Sequence, residues 1–220
     1  MGALRAGLGL MPSQLDLHCR ALAECRLCGH PGDVTPILSR ARRPKAMLVG
    51  QAPGKVEAVG GKPFAGRAGK TLFRWLERAG IDEETARGRI YIAAVTRCFP
   101  GPNPSGRGDR VPSPTEQEAC AVWLDAELRI IRPTLLIPVG RLAITRFLPN
   151  EPLDRLIGKA HDVEHVGGRS LAIPLPHPSG ASSWIHQDDH PRLLDRALIL
   201  IGRELERLGI GTGPRARSVA

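Results

Sequence analysis

Apolar residues enter this chain in short bursts, separated by longer stretches in which they recur every three or four positions. The bursts are "AMLVG" (46–50), "RIYIAAVTRC" (89–98), "TLLIPVG" (134–140) and "SLAIPLPHPSG" (170–180). Runs this short, closed by glycine or a turn, predict buried strands. Residues 13–30 predict a helix stopped by Gly29, Pro31 and Gly32. "RAGKTLFRWLERAGI" (67–81) sets Leu72, Phe73, Leu76 and Ala79 on one helical face and closes at Gly80. Thr115 begins a further helix, with acidic residues in its first turn where the macrodipole favours them. "RLAITRFL" reads as a short helix after the third strand, and 189–210 as a long amphipathic one. "GPNPSGRGDRVPSP" (101–114) carries too much proline and glycine for either element and predicts a loop. Four strands alternating with helices predict a three-layer α/β/α fold around a central four-stranded, mainly parallel sheet. Residues 1–210 are expected to form a single domain, and 211–220 a disordered tail. No internal repeat is visible.

Ligands of such sheets bind at the carboxyl ends of the strands. Three unusual segments lie there: the loop after Val49, the loop after Cys98, and "HPSG" after Leu175. They are expected to converge on one site. The first, "VGQAPGKVEAVGGKPFAGRAGKTL" (49–72), holds six glycines in 24 residues and one aromatic, Phe64. It is not a phosphate loop: neither G-x-x-x-x-G-K-[ST] nor G-x-G-x-x-G follows the strand, and no strand precedes Gly69-Lys70-Thr71.

Hydrophobic residues make up 42% of the chain, enough for a sizeable core, and no stretch reaches the roughly 18 apolar residues of a membrane span. The N-terminus is short, broken by glycines and without a small-residue cleavage site, so it is not read as a signal peptide. A cytoplasmic protein is expected. Thirty-one Lys+Arg against 22 Asp+Glu give a net charge of +9. That surface attracts polyanions, of which nucleic acid is the commonest in a cell. Only five of the 31 cations are lysine, which also fits a basic protein from an arginine-rich proteome. The five cysteines are odd in number and expected in a reducing compartment, which disfavours a disulfide framework. Cys25-x-x-Cys28 suits zinc, an iron–sulfur cluster or redox chemistry. Cys98 and Cys120 either complete a four-ligand site or are ordinary buried residues.

"GQAPG…E…GGKPFAGRAGKTL", "YIAAVTRC", a cysteine in the next helix, and "PHPSG" together resemble the iron–sulfur uracil-DNA glycosylases of family 4, over roughly residues 20–205. The resemblance implies hydrolysis of the N-glycosidic bond of uracil in DNA, leaving an abasic site, and one [4Fe-4S] cluster on Cys25, Cys28, Cys98 and Cys120. Zinc on the same ligands is the alternative, and Cys19 is left as a packed thiol. The implied partner is uracil-containing DNA, single- or double-stranded; a monomer associated with the nucleoid and not with a membrane is expected.

An enzyme acting on a base must extrude it into a snug pocket. The backbone of Gly50, Gln51, Ala52 and Gly54 is unobstructed enough to approach a uracil carbonyl. The family's stacking phenylalanine matches Phe64, and its acidic position by the pocket matches Glu57. Alternatively, Phe64 is a core anchor and Glu57 a solvated surface residue. His177, between two prolines, faces the departing uracil oxygen in the family pattern, where a donor stabilises the transition state above the ground state; otherwise it is a turn histidine. Ser179 is expected near phosphates, and Trp184 or Ile185 as the wedge filling the gap left by the base.

Two positions depart from the pattern. Gln51 stands where the family usually has glutamate; an amide positions water but does not take its proton. Ala94 stands where the family has an asparagine that pairs with the uracil edge. Asn103 is the candidate replacement, with Arg107 and Arg110 as phosphate ligands in the same loop beside Asp109. These departures motivate a rival reading, a non-catalytic binder of uracil-containing or abasic DNA. A second rival is a metal-bearing protein with an unrelated small substrate.

Overall fold

The structure is a computed structural model that describes residues 12–29, 34–105, 108–179, 184–187 and 189–211. In chain order the elements are α1 (Gln14–Ala23), β1 (Ala46–Gly50), α2 (Lys55–Gly60), α3 (Arg67–Arg78), α4 (Glu83–Arg89) and β2 (Ile90–Ala94). There follow α5 (Pro114–Ile131), β3 (Leu135–Pro138), α6 (Arg141–Ile144), α7 (Leu153–Leu156), β4 (His161–His165), β5 (Gly168–Ala172), a 3-10 turn (Trp184–His186) and α8 (His190–Arg207).

The sheet runs β2-β1-β3-β5-β4. The first four of these pair in parallel, and β4 joins β5 antiparallel. The three-layer α/β/α arrangement with a mainly parallel sheet is therefore present, with five strands rather than four. The added strand is β4, "HDVEH", in which only Val163 is buried. Its four polar residues give no apolar burst, because an edge strand has one face and one rim in water.

Alternate strand residues serve two cores. Ala46, Leu48, Ile90, Ile92, Leu135 and Ile137 pack against Leu72 and Leu76 of α3 and Leu198 and Ile201 of α8. Met47, Val49, Tyr91, Ala93 and Leu136 pack against Leu124 and Leu128 of α5 and against α6 and α7. Because β1 lies between β2 and β3, the chain winds both ways from β1, and a crevice opens at the carboxyl ends of these strands.

Helix ends follow local chemistry. Ser13 caps α1 and Ser113 caps α5, each with a reciprocal acidic partner three residues on, Asp16 and Glu116. Helix α1 stops at Ala23, so Cys25 and Cys28 lie in the turns beyond it. Strand β2 ends at Ala94, shorter than the apolar run through Cys98, because residues 95–98 turn to meet other partners. The N-terminal segment to residue 11, Pro31, Gly32, Arg107 and the tail from 212 lie outside the described residues. Among the described residues, no helix is long and apolar enough to cross a membrane.

Candidate active site and cysteine cluster

The β1–β2 pairing continues past the strand ends: Val95 N donates to Gly50 O (2.9 Å) and Thr96 N to Gln51 O (3.2 Å). The chain after β5 stays beside β3, with Leu175 N donating to Pro138 O (2.9 Å) and Gly140 N to Leu175 O (2.9 Å). These bonds carry Gln51, Ala94 and His177 to one end of the sheet. There a cavity of about 540 Å³ is lined by Gly50, Gln51, Ala52, Gly54, Glu57 and Phe64, and by Ala93, Ala94, Asp109, His177 and Ser179. Phe64 and His177, 113 positions apart by their numbers, share its wall.

Phe64 has φ 50°, left-handed for a residue with a side chain. Its ring lies against Gly50, where an added Cβ would be 2.9 Å from the ring's Cζ. Its carbonyl sits against Gly69 of α3, where any Cβ would collide with it. Two glycines thus admit the phenylalanine, one beneath the ring and one behind the backbone.

Glu57 is buried, and its carboxylate is a bracket between loops. Oε2 accepts from Gly54 N (3.1 Å) and Oε1 from Gly66 N (2.9 Å), the two residues that precede α2 and α3. It is neither solvated nor free, as the sequence alternative had it.

Ser179 N donates to His177 Nδ1 (3.2 Å), and Ser179 Oγ lies 2.9 Å from the same nitrogen. A ring nitrogen that accepts a backbone N–H carries no proton, so the neutral ring holds its proton on Nε2. Burial pushes the His177 pKa below the usual imidazole value. Gly140 (φ 84°) passes beneath the ring, with room for no side chain: its Cβ would be 3.0 Å from Cδ2.

Asn103 is not among the residues lining the cavity. Its side-chain oxygen accepts from Ser105 N (2.9 Å), closing its own turn. Asp109 and Arg110 of that loop do line the cavity. Arg110 is engaged twice by the Glu116 carboxylate (2.5 and 2.7 Å), which it holds down to about 2. Trp184 stacks on His190, ring centroids 4.1 Å apart, and both Trp184 and Ile185 pack against the core. Residues 180–183 lie outside the described residues. Gly140 and Arg87 escaped the sequence reading, and Gly69 and Asp109 were given no role in it, because each acts by closeness in space rather than by motif.

The four cysteines Cys25, Cys28, Cys98 and Cys120 are free thiols near enough to feel one another's charge. Burial first, then Cys120 and Cys25, push Cys28 up to about 11. Burial first, then Cys120, Cys28 and Cys25, push Cys98 up to about 12. Such a set resists ionisation until a cation shares the site. Among the described residues, no group of three or more His, Cys, Asp or Glu is arranged to hold a metal ion. Around the thiols the structure is donor-rich: Trp123 Nε1 donates to Cys25 Sγ (3.0 Å). Arg97, adjacent to Cys98, pairs with Glu127 yet leaves Nε and Nη1 buried and without a hydrogen-bond partner among the described residues. Its charge acts on Cys120. Cys19, outside the set, packs beside Tyr91 (Sγ to OH 3.7 Å).

Comparison with known proteins adds to this geometry. The family model for the uracil DNA glycosylase superfamily matches residues 38–199. The type-4 uracil-DNA glycosylase of Archaeoglobus fulgidus is 34% identical over 75% of this chain and 81% of its own. That of Saccharolobus solfataricus is 31% identical over 74% and 73%. A type-5 uracil-DNA glycosylase from Thermus thermophilus is 31% identical over 58% and 61%.

Proposed function

The chain belongs to the uracil DNA glycosylase superfamily, among its type-4-like members, and from that premise we propose that it hydrolyses the N-glycosidic bond of uracil in DNA. The observation that carries this reading is the shared cavity wall: an aromatic ring seated on a glycine and an imidazole whose free donor is Nε2, at the ends of parallel strands. A base swung out of the helix stacks on Phe64, which adds about 1–3 kcal/mol. As the bond to the sugar breaks, charge gathers on the uracil O2. His177 Nε2–H donates to that oxygen more strongly in the transition state than in the ground state. The ring is already held on its other sides by Ser179 and Gly140, so no reorganisation is needed at that moment.

Gln51 orients the attacking water. Its proton goes to a carboxylate. Glu57 is committed to two amides, so Asp109 is the cavity-lining acid left to receive it. Exposed Lys55 and Arg67 line the mouth, where DNA phosphates arrive.

Four thiolates suit an iron–sulfur cluster, with zinc on the same ligands as the alternative. The unpartnered Arg97 nitrogens and the Trp123 N–H suit a negatively charged group. Cys25, Cys28, Cys98 and Cys120 would hold it, tying the turn after α1 to the turn after β2 and to α5. Bound there, the cluster supplies a structural cross-link.

The test is incubation with a uracil-containing oligonucleotide, scored for abasic product. His177→Ala should lower the rate by about 10²–10³-fold. Absence of product from iron-loaded protein overturns the enzymatic reading. Tight binding without turnover would favour the non-catalytic alternative, for which Ala94 in the cavity wall is the motivating residue.

A further inference from the structure

The stacking platform is held by a residue outside the cavity. Arg87, in the last turn of α4, sends Nη1 to Pro63 O (2.7 Å) and Nη2 to Phe64 O (3.1 Å). The same guanidinium lies 4.2 Å above the centroid of Phe73 in α3, and its Nε donates to Glu83 Oε1 (2.8 Å). One planar fork thus grips consecutive carbonyls at the peptide where the chain enters the left-handed region. Such a conformation persists only where its surroundings over-determine it. Gly69 clears the space behind the Phe64 carbonyl and Gly50 the space under the ring, but neither pulls. Glu57 holds the turn two residues further on, at Gly66 N, but the contact that grips the Pro63 and Phe64 carbonyls themselves is the guanidinium, fixed in turn by Phe73 and Glu83.

We propose that Arg87 is a positioning residue for base capture: it clamps the Pro63–Phe64 carbonyls so that the Phe64 ring faces the cavity before a base arrives. The inference rests on the proposed role of Phe64 as the stacking surface. A fork suits the task, because its rigid, planar N–H groups meet two successive carbonyls with less ordering than a rotating ammonium needs. The ring offers its face to a flat heterocycle.

The test pairs spectroscopy with a double-mutant cycle. The chain has four phenylalanines, Phe64, Phe73, Phe99 and Phe147, so fluorophenylalanine labelling gives four resonances, with Phe64 assigned by Phe64→Leu. In Arg87→Met the Phe64 line is expected to move and broaden. The Phe73 line should shift with the lost cation, and the Phe99 and Phe147 lines stay in place. Arg87→Lys, which keeps stem and charge but not the fork, gives the same reading if the Met variant does not fold. An unmoved Phe64 line in a folded variant overturns the proposal. On uracil-containing DNA, Arg87→Met and Phe64→Ala should each lower kcat/KM by about 10–100-fold. Combined, they should be little worse than Phe64→Ala alone. Multiplicative losses would show that Arg87 acts elsewhere. If wild-type protein releases no uracil, the glycosylase reading fails while the fluorine spectra still decide this one.

Discussion

At the scale of single residues, the site depends on groups with two obligations each. His177 accepts from Ser179 at one nitrogen and is left to donate at the other, and burial holds its pKa below 6.5. The neutral form is therefore the working form. As pH falls, the rate should stay level through 6.5 and change only below it; an acid limb centred above 6.5 would contradict the assignment. The same shift bears on stability. The unfolded chain takes up protons near 6.5 while folded His177, and likewise half-buried His165, resists them. Stability contributed by the neutral rings is complete above 6.5 and declines as pH drops beneath it, which urea titrations at several pH values will show. Glu57→Ala strands the Gly54 and Gly66 amides and should cost about 1.5–3 kcal/mol by the same measurement. Asp109→Asn should slow excision by up to about 10²–10⁴-fold while leaving the folding midpoint nearly unchanged.

At the scale of elements, what was legible in the sequence is what repeats or punctuates. Four apolar bursts gave four strands, and Gly80, with φ 90°, ends the α3 turn as expected. Phe64 and His177 were legible because motifs surround them. Strand β4 was not, since an edge strand needs only one buried side chain. The short helices α2, α4 and α7 were also missed, each too brief to show a period of 3.6. The Asn103 expectation rested on loop membership alone, and a long loop has many ways to turn its side chains. The junction of α3 with the Phe64 turn was invisible for another reason. Gly69 sits inside a good helical pattern, and nothing local says that a carbonyl presses on it. Gly69→Ala should improve local helix propensity yet destabilise the protein, because the Phe64 carbonyl must retreat. A raised melting temperature in that variant would refute the packing described.

At the scale of the whole molecule, two properties follow from charge and from the thiol set. With +9 overall and cations at the cavity mouth, affinity for DNA should fall more than about tenfold between about 50 and 200 mM salt. Protein purified without oxygen should contain about four irons per chain and a broad visible band; replacing Cys25 and Cys28 together should abolish both and expose the α1 segment to protease. The sheet keeps these two properties close. One peptide bond joins Arg97, in the cavity wall, to Cys98, in the thiol set. Whatever disturbs the thiol set therefore has a single covalent step to travel before it reaches the cavity wall.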